Sequence, residues 1–443
     1  MPEHQLPSLY AAHLTEVAAR STRALEAGGF DRLVVAAGRP HPAFLDDQDD
    51  PFRINPHFKA WVPLTRVPMS WLVHTPGERP RLVYHQPHDY WHVVPESPAG
   101  YWVEHFDVVI VRTPEEARQH LPAEPTRCAI IGESNAGIGD MVPNNPRVVL
   151  DYLHYHRAFK TPYEIAMMRV ASKIGARAHV AAQHAFERGE SEFGIHLAYC
   201  AAAGQGENEL PYGNIIALNE HGAVLHYMEL HRNAPAHSDS LLIDAGANFH
   251  GYACDITRTH AAAHATEFQS LIAAVDKVQR MLCSRVRAGK DYAVLHIEAH
   301  DALAGVLVEQ QFVRCSAEAA VANGISSVFF PHGLGHGIGL QVHEVAGLAR
   351  DESGAEIARP TGHPYLRLTR TLAPGMVTTI EPGIYFIPML LDELRTKPAA
   401  RDVDFERVQR FLHFGGIRIE DDVVVTQGEP ENLTRDAFAA LPL

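Results

Sequence analysis

Apolar positions recur along the chain in two rhythms, one close to the helical repeat and one set by short uninterrupted runs. Leu9, Leu14, Val17 and Leu25 follow Ser8 and stop at Gly28-Gly29, which predicts a helix N-capped by Ser8 and closed by glycine. Short apolar runs at 33–37, 71–73, 82–84, 108–111 and 129–131 alternate with helical or turn-rich stretches and predict the strands of an α/β domain. Two stretches rich in proline and aromatic residues, 51–63 and Tyr90-Trp91-His92, are expected to be irregular, anchored loops of the kind found at interfaces.

The pattern changes near residue 160. Thr161-Pro162-Tyr163-Glu164 combines an N-cap, a proline in the first turn and a capping-box glutamate, so a long helix begins there. Ile165, Met168, Ala178, Ala182 and Phe186 give it an apolar stripe, and Gly189 ends it. Extended segments at 241–243, 377–380 and 417–425 then interleave with helices near 191–203, 265–287 and 295–312, an α+β pattern with mainly antiparallel strands. Two domains are expected, an α/β domain over 1–158 and a larger α+β domain over 159–443.

Composition narrows the classes open to the chain. Its 443 residues, 46% of them apolar, suit two domains better than one compact core. The formal charge of -15, with no Lys/Arg-rich run, argues against a nucleic-acid or anionic-membrane partner. No apolar stretch approaches the roughly 18 residues of a membrane span. The opening Met1-Pro2-Glu3-His4-Gln5 lacks the basic-then-apolar order of a secretory signal, so a cytoplasmic location is expected. Five scattered cysteines without CxxC spacing offer neither a disulfide frame nor a thiolate zinc site.

Four segments carry chemistry. In 241–258, Asn248 to Gly251 reads as a turn between extended halves, and a turn centred between Phe249 and His250 sets Asp244 directly opposite Asp255. Like charges so placed destabilise a sheet unless a cation lies between them. The second segment, 329–344, presents His332, His336 and His343 among alternating glycines, which let backbone crowd a ligand; His336 is the expected metal ligand. It fits neither GxGxxG nor HExxH. The third and fourth hold Glu381, before Pro382-Gly383, and Glu420, which strand alternation places on the same face as Arg418. Singly, each has a structural explanation as turn residues or surface pairs. Together, four carboxylates and an imidazole form an oxygen-rich ligand set suited to two Mn²⁺, with Co²⁺ as a substitute, and a water bridging them would be a nucleophile near neutral pH. No GxSxG elbow competes.

In this order, Asp244, Asp255, His336, Glu381 and Glu420 resemble the metallopeptidases of the pita-bread fold. Phe44-Leu45-Asp46-Asp47, Pro56-His57-Phe58-Lys59-Ala60-Trp61, Asp89-Tyr90-Trp91-His92 and Phe414-Gly415-Gly416-Ile417-Arg418-Ile419-Glu420-Asp421 are similar to the bacterial Xaa-Pro dipeptidase (prolidase) branch, which includes enzymes that also hydrolyse organophosphorus esters. The resemblance implies a pita-bread catalytic domain and a smaller N-terminal domain that mediates homodimerisation and edges the substrate cleft. It implies that Asp255 and Glu420 bridge two metals and that Glu381 accepts the proton of the bridging water. It also implies that His226, His332, His343 and Arg418 line the site, that Arg367 binds the substrate carboxylate and that Tyr212 lies near the metals. Asp47 and Trp91 are expected to reach a neighbouring subunit's cleft. The expected substrate is a small dipeptide ending in proline. An aminopeptidase acting on longer peptides and a non-catalytic peptide-binding module are the alternatives, and phosphotriester hydrolysis is a side activity.

Overall fold

A computed structural model describes residues 6–442; the opening pentapeptide and the expectation attached to it lie outside the described residues. The chain separates into two compact units. One comprises Met1–Met167, His250–Tyr252 and Ala349–Ala355, the other Met168–Phe249, Ala253–Leu348 and Glu356–Leu443.

In the first unit the helices are α1 (Leu6–Gly28), α2 (Pro56–Lys59), α3 (Pro114–His120) and α4 (Arg147–Arg157), and the strands β1 (Arg32–Ala36), β2 (Trp71–His74), β3 (Arg81–His85), β4 (Asp107–Val111) and β5 (Cys128–Ile131). The five strands form one mixed sheet in the order β4-β3-β2-β1-β5. Val34, Trp71, Val83 and Ile130 meet in its core, as apolar runs buried on both faces should. Ser8 does not cap α1. The helix already includes Leu6 and Pro7, and a proline in the first turn loses no helical hydrogen bond. The 51–63 loop is anchored: Asn55 Oδ1 accepts from His57 N–H at 2.9 Å, Asn55 Nδ2 donates to Ala36 O at 3.0 Å, and Phe58 and Trp61 are buried. The expectation fails for 90–92. There Asp89 ties only backbone and a histidine ring, and Tyr90 and Trp91 stand 86% and 78% exposed.

The helix α5 (Pro162–Glu187) begins with a reciprocal capping box. Thr161 N–H donates to Glu164 Oε2 at 2.8 Å, and Glu164 N–H to Thr161 Oγ1 at 3.4 Å. The chain continues with α6 (Glu192–Ala203), β6 (Ile215–Leu218), β7 (Ser240–Asp244), β8 (Asn248–Phe249), β9 (Tyr252–Ala253), β10 (Thr257–Ala261), α7 (Thr266–Ser284) and α8 (Tyr292–Glu309). Then come β11 (Val377–Ile380), β12 (Gly383–Tyr385), β13 (Gly416–Arg418), β14 (Asp421–Val424) and β15 (Glu431–Asn432). All pairing there is antiparallel: β10-β7-β6, β11-β14-β15, β12-β13 and β8-β9. The single strand expected over 417–425 is two, because the backbone changes partner between them: Ile419 N–H donates to Pro382 O and Glu420 N–H to Thr257 O.

The hairpin register also differs from expectation. His250 (φ 49°) and Gly251 (φ 87°) both take positive φ, the signature of a two-residue type I′ turn, so the turn centres one residue later than the sequence suggested. Asp244 pairs with Thr257, and Ala247 O accepts from Cys254 N–H at 3.0 Å. Asp255 thus lies across from Gly246, diagonal to Asp244 on the same face rather than opposite it. A Cβ on Gly246 would sit 2.2 Å from Cys254 O and 2.7 Å from the Tyr212 ring, so only glycine leaves this corner open. Among the described residues no helix is long and apolar enough to cross a membrane. All five cysteines are free thiols, with Cys128, Cys254 and Cys283 buried and Cys200 and Cys315 half-buried.

α5 supports the hairpin through buried His179, whose Nε2 lies 3.0 Å from Ala245 O. Burial pushes this imidazole down to about 3. Between that value and the ordinary 6.5 the unfolded chain binds a proton that the fold refuses, so this contribution is complete above pH 6.5 and is lost as pH falls. The stability advantage of the parent over His179→Gln should therefore shrink by about 2 kcal/mol from pH 7 to pH 5. Urea unfolding of both proteins in chelator measures it, and a pH-independent difference contradicts the neutral buried ring.

Candidate metal centre

Neighbouring backbones bring the acids together in rows. Asp244 on β7 pairs with Thr257 on β10, and Thr257 bridges in turn to Glu420, so three neighbouring segments place these side chains side by side. Thr257 Oγ1 donates to Glu420 Oε2 at 2.7 Å. A second row is formed by the glycine-rich strip and β11: Glu381 N–H donates to Leu334 O and Thr379 N–H to His336 O, both at 2.9 Å. The glycines serve this pairing rather than close approach to a ligand. A Cβ on Gly335 would lie 2.3 Å from Thr379 O and 2.4 Å from the Tyr292 hydroxyl, and one on Gly333 2.9 Å from Leu366 Cα.

The five expected ligands converge. One ligand atom from each of Asp255, His336 and Glu420 lies within 4.8 Å of the others. His336 Nε2 is 3.5 Å from Asp255 Oδ2 and 3.6 Å from Glu381 Oε1. Its Nδ1, 3.1 Å from Gly337 O, donates there, which leaves Nε2 as the nitrogen that faces the two carboxylates. Asp244 joins through Tyr212, whose hydroxyl contacts Asp244 Oδ1 at 2.8 Å and Asp255 Oδ1 at 2.5 Å. One hydroxyl proton serves one of these oxygens at a time.

The electrostatics show what such a cluster lacks. Burial raises Asp244, with Asp255 adding to the rise against the pull of Arg418. Burial pushes Glu381 up to about 7 and Glu420 well above the usual carboxylate range, in each case reinforced by neighbouring acids. Burial also opposes a charge on His336, yet the hydrogen bond to Asp255 and the charge of Glu381 push it up to about 9. Protein groups alone leave the centre short of positive charge, and an imidazole Nε2 3.5–3.6 Å from two carboxylate oxygens matches donors that share a cation at about 2.0–2.2 Å, the cation taking the place of the ring's second proton. The residues fit divalent metal.

The remaining predicted residues divide. Arg418 is buried, with Nη2 2.7 Å from Asp244 Oδ2, Nη1 2.8 Å from the Tyr385 hydroxyl and Nε 3.2 Å from Thr257 Oγ1. His332 Nε2 also meets the Tyr385 hydroxyl at 2.9 Å, and its Nδ1 lies 3.7 Å from Glu381 Oε2. The His343 ring stands edge-on to His336 with centroids 4.4 Å apart. His226 and Arg367 are exposed, and both bear electrostatically on His343. Asp47 and Trp91 belong to the first unit, exposed on loops.

Sequence reasoning missed the groups that orient the ligands: Thr257, Thr379, Tyr385 and Asp422, whose Oδ2 accepts from Asp255 N–H at 3.0 Å. Tyr385 and Asp422 stand four and two residues beyond Glu381 and Glu420, and register alone could have assigned them. Thr379 Oγ1 accepts from His336 N–H at 3.1 Å and donates to Glu381 Oε1 at 3.3 Å, a link visible only once β11 is paired with the glycine strip.

An antiparallel α+β unit that gathers carboxylates and a histidine around a cation site is the framework of a metal-dependent hydrolase, and comparison with known proteins specifies which. Residues 166–427 match the model of metallopeptidase family M24, and residues 8–155 that of the Xaa-Pro dipeptidase N-terminal domain. The chain is 60% identical over 440 residues, 99% of its length and 100% of the relative's, to the Xaa-Pro dipeptidase of Xanthomonas campestris pv. campestris (strain 8004). It is 58% identical to that of Stenotrophomonas maltophilia (strain K279a), over 98% of both chains. Among solved structures, Escherichia coli aminopeptidase P with the inhibitor Pro-Leu aligns with a TM-score of 0.71 at 24% identity, covering 96% of this chain and 95% of that one. Proline aminopeptidase P II from Yersinia pestis gives 0.69 at 23%, covering 96% and 98%. The chain belongs to metallopeptidase family M24, in its bacterial Xaa-Pro dipeptidase branch. It is a hydrolase with the pita-bread α+β fold and a smaller N-terminal domain.

Replacing Asp255 by Asn keeps the shape and removes a charge at the middle of the cluster. After dialysis against limiting Mn²⁺, Asp255→Asn should retain at least one metal per chain fewer than the parent by elemental analysis. Equal retention would exclude Asp255 as a ligand.

Proposed function

We propose that this chain hydrolyses Xaa-Pro dipeptides with two Mn²⁺ per subunit, for which Co²⁺ can substitute. Asp244, Asp255, His336, Glu381 and Glu420 would hold the pair, with Asp255 and Glu420 shared between the two ions. The observation behind this reading is the convergence of these five side chains in a chain 60% identical to a protein named Xaa-Pro dipeptidase. Divalent cations bound there polarise a carbonyl and lower the pKa of water.

The protein's own groups perform the rest. Glu381, at the edge of the cluster and 3.7 Å from His332, takes the proton released by the attacking water. His332, with Tyr385 and Arg418, forms a hydrogen-bonded chain from the cluster outward, suited to protonating the imino nitrogen that leaves when a bond to proline breaks. Exposed His226 and His343 offer donors to the substrate carbonyls, and Tyr212 holds Asp244 and Asp255 in place. Arg367 projects an exposed guanidinium on the side of His343, where the carboxylate of a dipeptide would be neutralised.

The 1–158 domain is assigned to homodimerisation and to the cleft edge, with 159–443 catalytic. Exposed Phe44, Leu45, Tyr90, Trp91 and Val93 support an interface there, and Asp47 and Trp91 are assigned to the neighbouring subunit's cleft. A cytoplasmic location and a side activity on organophosphorus triesters complete the proposal.

Assay of Ala-Pro against Ala-Pro-Ala tests the substrate class: the dipeptide should be cleaved at least tenfold faster, and equal or faster cleavage of the tripeptide would make the chain an aminopeptidase instead. Arg367→Ala should raise KM for Ala-Pro about tenfold or more with kcat nearly unchanged, because the carboxylate contact is made equally in ground and transition states. A fall in kcat at constant KM would remove Arg367 from substrate binding.

A further inference from the structure

A second group of potential ligands lies on α8, outside the cluster of acids. His296 and His300, four residues apart, share one helix face, and His363 meets them from the turn Pro360-Thr361-Gly362-His363-Pro364. The ring centroids are 4.8, 4.6 and 4.6 Å apart, and one nitrogen from each ring lies within 4.8 Å of the others. His296 and His300 are each 1% exposed. Ser326 Oγ holds His300 Nδ1 at 3.1 Å, so Nε2 is the nitrogen left to ligate, and it is buried without a hydrogen-bond partner. His296 Nδ1 is also unpartnered. Burial pushes His296 down to about 2 and His300 to about 4, and lowers His363 as well, so the rings are neutral and keep their lone pairs.

The histidine-containing group at Glu192 behaves differently. Glu192 of the Glu192, His221 and His231 group already accepts from Leu218 N–H, His221 Nδ1, Tyr227 OH and His231 N–H at 2.6–3.0 Å, which saturates the carboxylate. The three-histidine group has the opposite character, with donor atoms and no acceptor role to fill. Its one internal link is His296 Nε2 to His363 Nδ1 at 2.9 Å. Two nitrogens each about 2.0–2.1 Å from a tetrahedral cation stand about 3.3 Å apart, so a shift of a few tenths of an ångström converts that link into joint ligation. A cavity of ≈ 270 Å³, lined by His296, His363, Phe330 and Tyr365 among others, leaves space for a water in the fourth position.

We propose that His296, His300 and His363 bind one borderline transition-metal dication, such as Zn²⁺, at a site separate from the carboxylate centre, and that this ion ties the 360–366 loop to α8. Imidazoles alone select such an ion over Mn²⁺ or Mg²⁺. The tethered loop packs on the histidine-bearing strip, with Leu366 Cα and Tyr365 O lying 2.9 and 3.0 Å from where a Gly333 Cβ would stand, and it leads directly into Arg367.

The full-length protein, its His300→Gln variant and its His363→Asn variant are equilibrated at the same free Zn²⁺ and the bound zinc counted by elemental analysis. The parent should hold one more Zn²⁺ per chain than either variant. The readout is this difference and not the total, so it stands whatever the occupancy of the carboxylate centre. His363 is only half-buried, so its replacement leaves the packing of α8 in place, and equal Tm values in chelator confirm the fold. Added Zn²⁺ should then raise the Tm of the parent by several degrees more than that of either variant. Equal zinc counts in all three proteins, or an identical zinc-dependent rise in Tm, would overturn the site.

Discussion

Four carboxylates held together in a buried space are the constraint on which the catalytic unit is organised. Each would rather face water, and each raises the free energy of the others. The fold meets this demand with fixed donors instead of bulk solvent. Thr257 supports Glu420, Thr379 supports Glu381, Tyr212 lies between Asp244 and Asp255, and Arg418 closes the Asp244 side. These donors stabilise part of the negative charge, and the balance left over is the site's affinity for a cation. The antiparallel strand pairs are what make the arrangement reproducible, since each of the clustered side chains sits on or beside a paired backbone whose register is set by its neighbours.

Much of this was legible in the residues themselves. The capping box at Thr161 and Glu164, the five strands of the first unit and the helices after residue 190 follow from local chemistry that tertiary context did not override. The five side chains that meet in the cluster could be picked out because a carboxylate or imidazole that ends an apolar run or sits among glycines has little structural reason to be there. Two kinds of information were not local. The register of the 244–257 hairpin depended on whether His250 would accept a left-handed backbone, which residue type alone leaves open. The ligand-orienting threonines depended on which strand lies beside which, and Thr257 and Thr379 look like ordinary strand residues until β10 meets Glu420 and β11 meets the glycine strip.

The same distinction separates what is shared with distant structures from what is particular to this chain. Aminopeptidases P align over nearly the full length at 22–24% identity, so the framework tolerates replacement of most side chains. The groups outside the cluster lie on less constrained backbone. His226, His343 and Arg367 are exposed, and Arg367 follows a loop with prolines at 360 and 364 and a left-handed Gly362. Substrate preference can therefore diverge by changing loops while the charge cage stays as it is.

The two-residue turn at His250-Gly251 works as a length gauge for the whole centre. Side chains alternate along both arms, so one residue inserted at its tip would carry Asp255 to the opposite face of the ribbon and present Cys254 or Ile256 to the cluster in its place. The number of residues at this tip thus decides which side chains of the far arm meet the acids, and the left-handed backbone at both positions is what keeps that number at two.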